Sequence, residues 1–415
     1  MNSPPSDSPW YASGPFRAYL AATALWFAGV GTQMVLFPYL VAGVLNERAS
    51  LVGVAQMATL APGLIFLLPA GALADHADGK VLLFRFSMIA LLPPVALSAI
   101  VLAGGLSFGV LVAYALIVGS LSALSIPPRD ALLSRVAPPG SLQNAVSLVV
   151  SAQFGMQIVG MLAVIPADYI GAAPILVFQA TLFALSLFAL HRVPAAPPGN
   201  KVSRTLQERA HDIKDGVIEA LTHPAIMPVT AAMASVALVL MGSFMTIIPI
   251  LIRDAHHGSS AQFTFVNIAF WTGTIVSNAT LMRMPSIHYP GRAMAIALIG
   301  GMGVLFLLSF ETPFWVLCLL TFVWGMGAGV TMTMGRTVVQ ENAPDSHRAR
   351  VLSVYQLAFA GVAPFGALAF GFVIEAVGVH AAARIGPVVI AVILTVLATQ
   401  TRWLSIRSHA ARAVS

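Results

Sequence analysis

The sequence predicts an all-α membrane protein with twelve transmembrane helices arranged as two six-helix bundles. Only 9% of the 415 residues are charged and 58% are hydrophobic, whereas soluble globular proteins carry about 25% charged residues. Apolar runs recur along the chain, and about 20 apolar residues suffice to cross the ~30 Å hydrocarbon core as a helix. Lysine and arginine gather in alternate connections between these runs, as expected for a membrane protein with a basic cytoplasmic side.

Apolar runs and the turn signals between them locate the individual spans. Most connections are very short, which favours antiparallel neighbours, and the two longer connections are 128–141 and 192–223. The predicted spans are 17–45, 51–74, 80–104, 105–127, 142–167, 172–191, 224–252, 261–283, 293–310, 313–335, 351–378 and 381–402.

The positions of the basic residues test this number of spans. With a cytoplasmic N-terminus, every lysine and arginine falls on the cytoplasmic side except Arg48, Arg253 and Arg384. An error of one span would mix the two groups downstream of the error. We therefore expect both termini in the cytoplasm. The formal net charge of +6 then reflects topology rather than nucleic-acid binding.

A polar connection joins the two predicted halves. Within it Leu206, Ile213, Val217 and Leu221 recur at helical spacing among charged residues, which predicts an amphipathic cytoplasmic helix. The predicted organisation is an N-terminal tail (1–16), a first bundle (17–191), a linker helix (192–223), a second bundle (224–402) and a C-terminal tail (403–415).

The two halves carry traces of an internal duplication. The pair Gly79-Lys80 after the second span has a counterpart in Gly291-Arg292 after the eighth. Two halves with the same in–out sense form a parallel repeat about an axis along the membrane normal. After the fourth and tenth spans, at an offset of 206, the matched residues are Ala137 with Ala343, Pro138 with Pro344, and Ser147 with Ser353.

The segment GALADHADGK, between the second and third spans, resembles the signature loop of the major facilitator superfamily, G-x-L-a-D-R-x-G-R-R. It is closer to the D-R-x-D-R-R variant of the branch that contains macrolide-efflux proteins and the enterobactin exporter. The segment VVQENAPDSHRARVLSVY is similar to that branch's pattern before the eleventh helix. His76, Gly79 and Ala349 depart from these patterns. No arginine is found within the predicted fourth span, where many related proton-driven drug antiporters carry one.

This resemblance implies the major facilitator fold, secondary active transport by alternating access, and a cytoplasmic gate. In the family the signature acid, here Asp75, caps the start of the eleventh helix, where a carboxylate is stabilised by the positive end of the helix dipole. A solvated hairpin is the alternative. The expected gate residues are Asp75, Asp78, Lys80, Asp130 and Arg350, with Lys80 pairing with Asp130 and Arg350 lying near Asp75 or Asp78.

Uncharged polar and aromatic residues deep in the spans are the candidates for a substrate cavity. Gln153 and Gln157 share one face of the fifth span, as Asn267, Trp271 and Asn278 share one face of the eighth. An apolar cavity with methionines, aromatic rings and a few amides suits an amphipathic or neutral ligand, whereas hydrogen bonding between helices is the alternative role of the amides. The predicted cavity residues are Trp26, Gln33, Gln153, Gln157, Phe244, Met245, Asn267, Trp271 and Trp324.

Energy coupling is predicted from the family resemblance, which implies protons. A charge inside a membrane span is costly and therefore a functional candidate, yet no carboxylate lies in the middle of a predicted span. The proton-coupling candidates are thus the peripheral acids Glu375, Asp168 and Asp130.

Other function classes lack support in the sequence. Gly79-Lys80 is not a Walker A motif, because it lacks the earlier glycine and the following Ser or Thr. No metal-spaced cluster lies at membrane depth, and the single Cys318 cannot form an internal disulfide. We expect no enzyme activity, cofactor, metal or nucleic-acid partner.

The predicted protein is a monomeric multidrug or siderophore exporter of the bacterial inner membrane, an antiporter that exchanges its small-molecule substrate for protons. The alternative is an importer or facilitator of a neutral metabolite with the same fold. A deep basic residue would favour an anion importer, and none is expected.

Overall fold

The computed structural model describes residues 13–76, 78–138, 140–195, 217–284, 287–344 and 348–408. Within these ranges the side chains at positions 67, 68, 71, 72, 74–76, 348 and 349 are outside the description. Most of the predicted linker helix and most of the predicted N-terminal tail lie outside the described residues, as does the C-terminal tail after residue 408.

The described residues form twelve long helices and no strand. Pro93 and Pro94 follow a break that divides α3, while π-helical turns extend α1 over Tyr39–Val44 and divide α7 at Val236–Met241. The helices are α1 (Gly14–Pro38), α2 (Ala49–His76), α3 (Gly79–Ile89 and Leu92–Leu102), α4 (Phe108–Val136), α5 (Leu142–Leu162), α6 (Ala172–His191), α7 (Ile226–Ser235 and Gly242–Ala255), α8 (Ser260–Arg283), α9 (Pro290–Leu307), α10 (Phe314–Asn342), α11 (Arg348–Val377) and α12 (Val379–Gln400).

Eleven of these helices are long and apolar enough, over their described residues, to cross a membrane. The exception is α8, whose 24 residues have sufficient length at 1.5 Å per residue but include more polar side chains. The all-helical architecture confirms the predicted fold class.

The chain divides into two compact units, Met1–Leu40 with Ala61–Ser203 and Val41–Leu60 with Arg204–Ser415. In the first unit α1 packs along α5 and α6. In the second unit α8 packs along α10, and α7 packs along α11. Gly242 and Gly366 permit this last contact, because a Cβ on either would collide with the backbone of the other helix.

The fourth helix is longer than predicted. The predicted fourth span ended at residue 127, followed by a connection over 128–141 that begins with Pro128, a residue that lacks an N–H and usually ends or kinks a helix. Instead α4 continues to Val136. The Tyr19 hydroxyl of α1 donates to the carbonyl oxygen of Arg129 across 3.1 Å, which ties this continued part of α4 to α1. Arg129 therefore lies inside a membrane-spanning helix and not in a loop.

The internal duplication is visible in α4 and α10. Both helices have 29 residues, and both their first and their last positions differ by 206. Ala137 and Ala343 end them in the same extended conformation, and their N–H groups donate to the carbonyls of Leu133 and Val339, each across 3.0 Å. The few sequence identities thus mark equivalent helix ends.

Candidate functional site

The connection between α2 and α3 is held to α4 through Asp78. Asp78 caps α3, where its Oδ1 accepts from the backbone N–H of Lys80 across 2.8 Å. The same oxygen accepts from Nη1 of Arg135 across 2.9 Å. Nη2 of Arg135 donates to the carbonyl of Pro194 across 2.6 Å. One guanidinium therefore joins the α2–α3 connection, the end of α4 and the segment after α6.

Among the described residues no ion pair joins Lys80 and Asp130, so this pairing stays a prediction. Lys80 lies in the first turn of α3, and its ammonium lies 5.4 Å from the ring centre of Phe84, one turn further along. Arg135, which the sequence analysis did not select, is the residue that reaches an acid of this connection. Its proximity depends on the extended α4, which the sequence did not predict.

The remaining gate residues lie in different units. The side chain of Asp75 lies outside the described residues, near the end of α2. Asp130 is exposed on α4 of the first unit, and Arg350 is half-buried in the first turn of α11 in the second. The gate therefore stays a prediction from the family resemblance.

Arg129 is a buried charge of the first unit, with 6% of its surface exposed. Its guanidinium carbon lies 5.0 Å from the ring centre of Trp26 and 5.7 Å from that of Phe27. Nη1 lies 3.4 Å from Oγ1 of Thr23, and Nη2 has no hydrogen-bond partner among the described residues. Cation–π contacts with these two rings thus stabilise the buried guanidinium. The expectation that the fourth span lacks an arginine was wrong, because α4 continues past its two prolines.

Three buried polar side chains connect α1, α4 and α6. Oε1 of Gln33 accepts from the hydroxyl of Tyr114 and, across 3.2 Å, from Nε2 of Gln179. Nε2 of Gln179 also donates to the carbonyl of Gly29 across 3.2 Å. Nε2 of Gln33 is buried without a partner among the described residues. Hydrogen bonds of this kind hold membrane helices together. The contacts of Gln33 therefore match the alternative role of the amides, hydrogen bonding between helices.

The other predicted cavity residues of the first unit also lie among packed helices. Gln157 is 4% exposed, and its Nε2 lies 3.2 Å from Sδ of Met34. Trp26 is 4% exposed and packs on Phe183 with ring centres 4.8 Å apart. Gln153 is half-buried on the same helix as Gln157.

An aromatic cluster connects α7, α8 and α10 in the second unit. The ring centre of Phe244 lies 4.3 Å from that of Phe270 and 5.6 Å from that of Trp324. Asn267 is buried, and its Nδ2 donates to the carbonyl of Phe263 in the same helix across 2.9 Å. Two of the predicted cavity residues, Phe244 and Trp324, therefore contact each other in this cluster. The half-buried members of the predicted set in this unit are Met245 and Trp271.

A cavity of about 450 Å³ opens at the ends of α8 and α10, within the second unit. Its lining is mainly apolar and includes Met282 and Met334. Asn278 and Thr333 supply polar atoms, and Thr333 Oγ1 donates to Asn278 Oδ1 across 2.9 Å. Glu341 is the one charged residue among the described lining residues. The volume falls within the range of pockets for small organic ligands.

Among the cavity-lining residues Asn278 is the one that the sequence singled out, because it shares a face of the eighth span with Asn267 and Trp271. The other lining residues lie near the helix ends, whereas the prediction favoured polar residues at mid-span. Glu341 falls within the motif segment before α11, which is the one sequence signal that points to this end of the unit.

The three proton-coupling candidates differ in their partners. Tyr39 donates its hydroxyl to Oδ1 of Asp168 across 2.8 Å. Glu375 forms an exposed ion pair with Arg48, with 3.3 Å between Oε1 and Nη1. Asp130 has no hydrogen bond or ion pair through its carboxylate among the described residues, although Arg129 precedes it in the helix.

The family can be decided by comparison with known proteins. A family model described as a transmembrane secretion effector matches residues 8–412, nearly the whole chain. The chain belongs to the transmembrane secretion effector family. As a member of that family it is a multi-pass membrane transporter of the major facilitator superfamily.

Multidrug efflux pumps are among the relatives of this chain. The multidrug efflux pump Tap of Mycobacterium tuberculosis (strain ATCC 25618 / H37Rv) is 24% identical over 388 residues, which cover 89% of each chain. The pump of the same name from Mycobacterium bovis (strain BCG / Pasteur 1173P2) shows the same identity and coverage.

Solved structures confirm the transporter fold. The nucleoside transporter NupG superposes with a TM-score of 0.71 and 14% identity, covering 92% of this chain and 98% of its own. A bacterial homologue of the human lysosomal transporter Spinster gives 0.66 and 16%, covering 94% and 96%. The peptide transporter POT in complex with sulfate gives 0.70 and 14%, covering 94% and 95%. At these identities the likeness shows the fold alone.

Proposed function

We propose that this protein is a secondary active exporter that moves small amphipathic molecules, such as drugs or a siderophore, by alternating access in exchange for protons. It acts as a monomer in the bacterial inner membrane, with both termini in the cytoplasm. The observation that carries the proposal is the methionine-lined cavity at the ends of α8 and α10. The 24% identical efflux pump supports the outward direction.

The lining of the cavity matches an amphipathic substrate. Methionine side chains are flexible and polarisable, so Met282 and Met334 adapt to apolar bodies of different shape. The Glu341 carboxylate favours a substrate with a positive charge, since opposite charges attract more strongly near apolar walls than in water. The expectation of no deep basic residue was wrong, since Arg129 is buried in α4, but this residue packs on Trp26 and Phe27 in the first unit and does not line the cavity, so it gives no support to an anionic substrate at this site.

Proton coupling is assigned to Asp130. A coupling acid must gain and lose a proton during the cycle, and a strong partner holds a carboxylate in one state. Glu375 and Asp168 are engaged by Arg48 and Tyr39, whereas the Asp130 carboxylate has no such partner among the described residues. The contacts of Glu375 favour a role in joining the start of α2 to the end of α11 inside the second unit.

Dye transport in inside-out membrane vesicles tests the proposed function. Vesicles are prepared from bacteria that lack their major drug pumps and express the protein. We expect proton-gradient-dependent uptake of ethidium, a lipophilic cation, and its loss when a protonophore is added. Uptake only into right-side-out vesicles supports the importer instead, and uptake that persists with the protonophore contradicts proton coupling.

A matched pair of variants tests the cavity. Glu341→Gln removes the charge in the cavity lining, and Glu311→Gln removes an exposed charge in the connection between α9 and α10. A partly exposed ionic contact of about 1 kcal/mol corresponds to roughly fivefold. We expect Glu341→Gln to weaken ethidium transport by about that factor while a neutral dye is transported as before. Equal effects of both variants would contradict the site.

A further inference from the structure

A groove of about 810 Å³ lies in the first unit between α5 and α6, with the start of α1 as its floor. Small side chains form much of its surface, including Ala21 of α1, Ala152 of α5 and Ala189 of α6. Two arginines also line it, Arg17 of α1 and Arg192 directly after α6. Among its described lining residues there is no acid. We call this feature the two-arginine groove.

The two arginines carry positive charge that no described acid compensates. Neither Arg17 nor Arg192 has an acidic partner among the described residues, and both side chains are exposed. The guanidinium carbon of Arg192 lies 4.8 Å from the ring centre of Phe188, a contact that leaves its N–H donors available. A guanidinium offers a planar set of N–H donors that matches the oxygen atoms of a phosphate. The groove therefore favours an anionic group.

The part of α6 beside the groove carries exposed apolar side chains. Leu185 and Phe188 are 48% and 60% exposed, although they belong to a membrane-spanning helix. Exposed apolar side chains of such a helix contact lipid. Arg192 follows Phe188 by four residues and so lies on the same face, at the helix end where lipid headgroups begin.

The groove has the length to hold part of an acyl chain. Arg17 and Ala24 both line it, and a helix rises about 1.5 Å per residue, so the floor extends roughly 10 Å from the arginine into the membrane. The small alanine side chains leave an apolar channel along the floor, and inorganic phosphate has no hydrocarbon part that could fill it. A molecule with an anionic head and a hydrocarbon tail matches both parts.

We propose that the two-arginine groove binds an anionic phospholipid, with its phosphate between Arg17 and Arg192 and an acyl chain along the alanine floor. Basic pockets between membrane helices recognise anionic headgroups in this way. The ammonium of a zwitterionic lipid weakens this attraction, so phosphatidylcholine binds less well. The site is separate from the cavity of the second unit and does not depend on which substrate is transported.

Lipid binding to the purified full-length protein tests the proposal. Phosphatidylglycerol or phosphatidylcholine is added to protein in neutral detergent, and bound lipid and the thermal unfolding temperature are measured by native mass spectrometry and by fluorescence. We expect phosphatidylglycerol to bind and to raise the unfolding temperature. The double variant Arg17→Ala/Arg192→Ala should bind about 30-fold more weakly, given the usual contribution of each basic residue near a lipid surface.

The control Arg85→Ala/Arg283→Ala removes the same charge from exposed positions outside the groove and should bind as the wild type does. Should the alanine double variant fail to fold, Arg17→Lys/Arg192→Lys keeps the charge but not the planar donors, and it should bind with intermediate affinity.

Three results would overturn the proposal. The first is equal binding by the alanine double variant and the wild type. The second is an equal effect of phosphatidylcholine, or of inorganic phosphate alone, which would mean that no anionic lipid is recognised. The third is binding that appears only after residues 1–12 are removed, which would assign the groove to that segment of the chain.

Discussion

Arg135 of α4 donates a hydrogen bond across 2.9 Å to Asp78, the residue that caps α3. Only 6% of the Asp78 side chain is exposed, against 32% of that of Arg135. This contact distinguishes the roles of Asp75 and Asp78, the two acids of the segment GALADHADGK. Asp78 has a structural contact inside the first unit, and Asp75 is the acid to which the family resemblance assigns the gate.

We expect Asp78→Ala and Arg135→Ala each to destabilise the protein by about 2 kcal/mol or more. Both variants lose the charged hydrogen bond between the two side chains, of about 1.5–3 kcal/mol; Asp78→Ala also loses the helix cap of about 1 kcal/mol, and Arg135→Ala also loses the bond to the carbonyl of Pro194. Thermal unfolding of the purified proteins measures both effects. The double variant should lose less stability than the sum of the losses in the two single variants, because both single variants lose the same hydrogen bond between Asp78 and Arg135. Strict additivity would show that the pair does not interact.

Asp75→Asn should lower transport about tenfold or more while leaving the amount of protein in the membrane unchanged. A carboxylate near a helix N-terminus favours one conformation by up to ~2 kcal/mol, and 1.4 kcal/mol already changes a two-state population tenfold. Ethidium transport in vesicles is the measurement. The exposed Asp254→Asn serves as control for the loss of one acid. Ethidium transport by Asp75→Asn at the wild-type rate would contradict the gating role of Asp75.

Asp130→Asn should uncouple transport from the proton gradient. The amide cannot exchange a proton, so uphill dye transport driven by a pH gradient in proteoliposomes is lost, while exchange of internal for external dye continues. Asp168→Asn and Glu375→Gln should keep gradient-driven transport, because Tyr39 and Arg48 already engage those carboxylates. Gradient-driven transport by Asp130→Asn at the wild-type rate would reject this residue as the coupling acid.

Gly160→Ala should lower the free energy of unfolding by about 1–3 kcal/mol through overpacking. A Cβ at this position collides with the backbone carbonyl of Ala28 in α1. The matched control is Gly155→Ala in the same helix, where a Cβ meets no atom within 4 Å. That change should be neutral or stabilising by up to ~1 kcal/mol, because alanine favours a helix over glycine. Similar unfolding temperatures for the two variants would contradict the packing argument.

The two glycines of α5 differ in a way that the sequence does not predict. Glycine within a membrane helix is typical of close packing between helices, yet of Gly155 and Gly160 only Gly160 has a neighbouring helix within 4 Å of an added Cβ. Arg129 is a similar case. The predicted fourth span ended before this residue, whereas in the structure α4 continues past it, the Arg129 carbonyl accepts from Tyr19 of α1 and the guanidinium is buried. In both cases the deciding atom belongs to a helix more than a hundred residues away.

The sequence by itself determined the membrane class, the number of long helices, the duplication and the family. These properties follow from apolar composition, charge spacing and short motifs, which are local and accumulate along the chain. Only the tertiary structure decided that Arg135 reaches Asp78, that Gln33 is held by Tyr114 and Gln179, and where the cavity and the groove open. Such contacts depend on distances of a few ångströms between residues remote in sequence. Helix length and packing set those distances, and no local pattern encodes them.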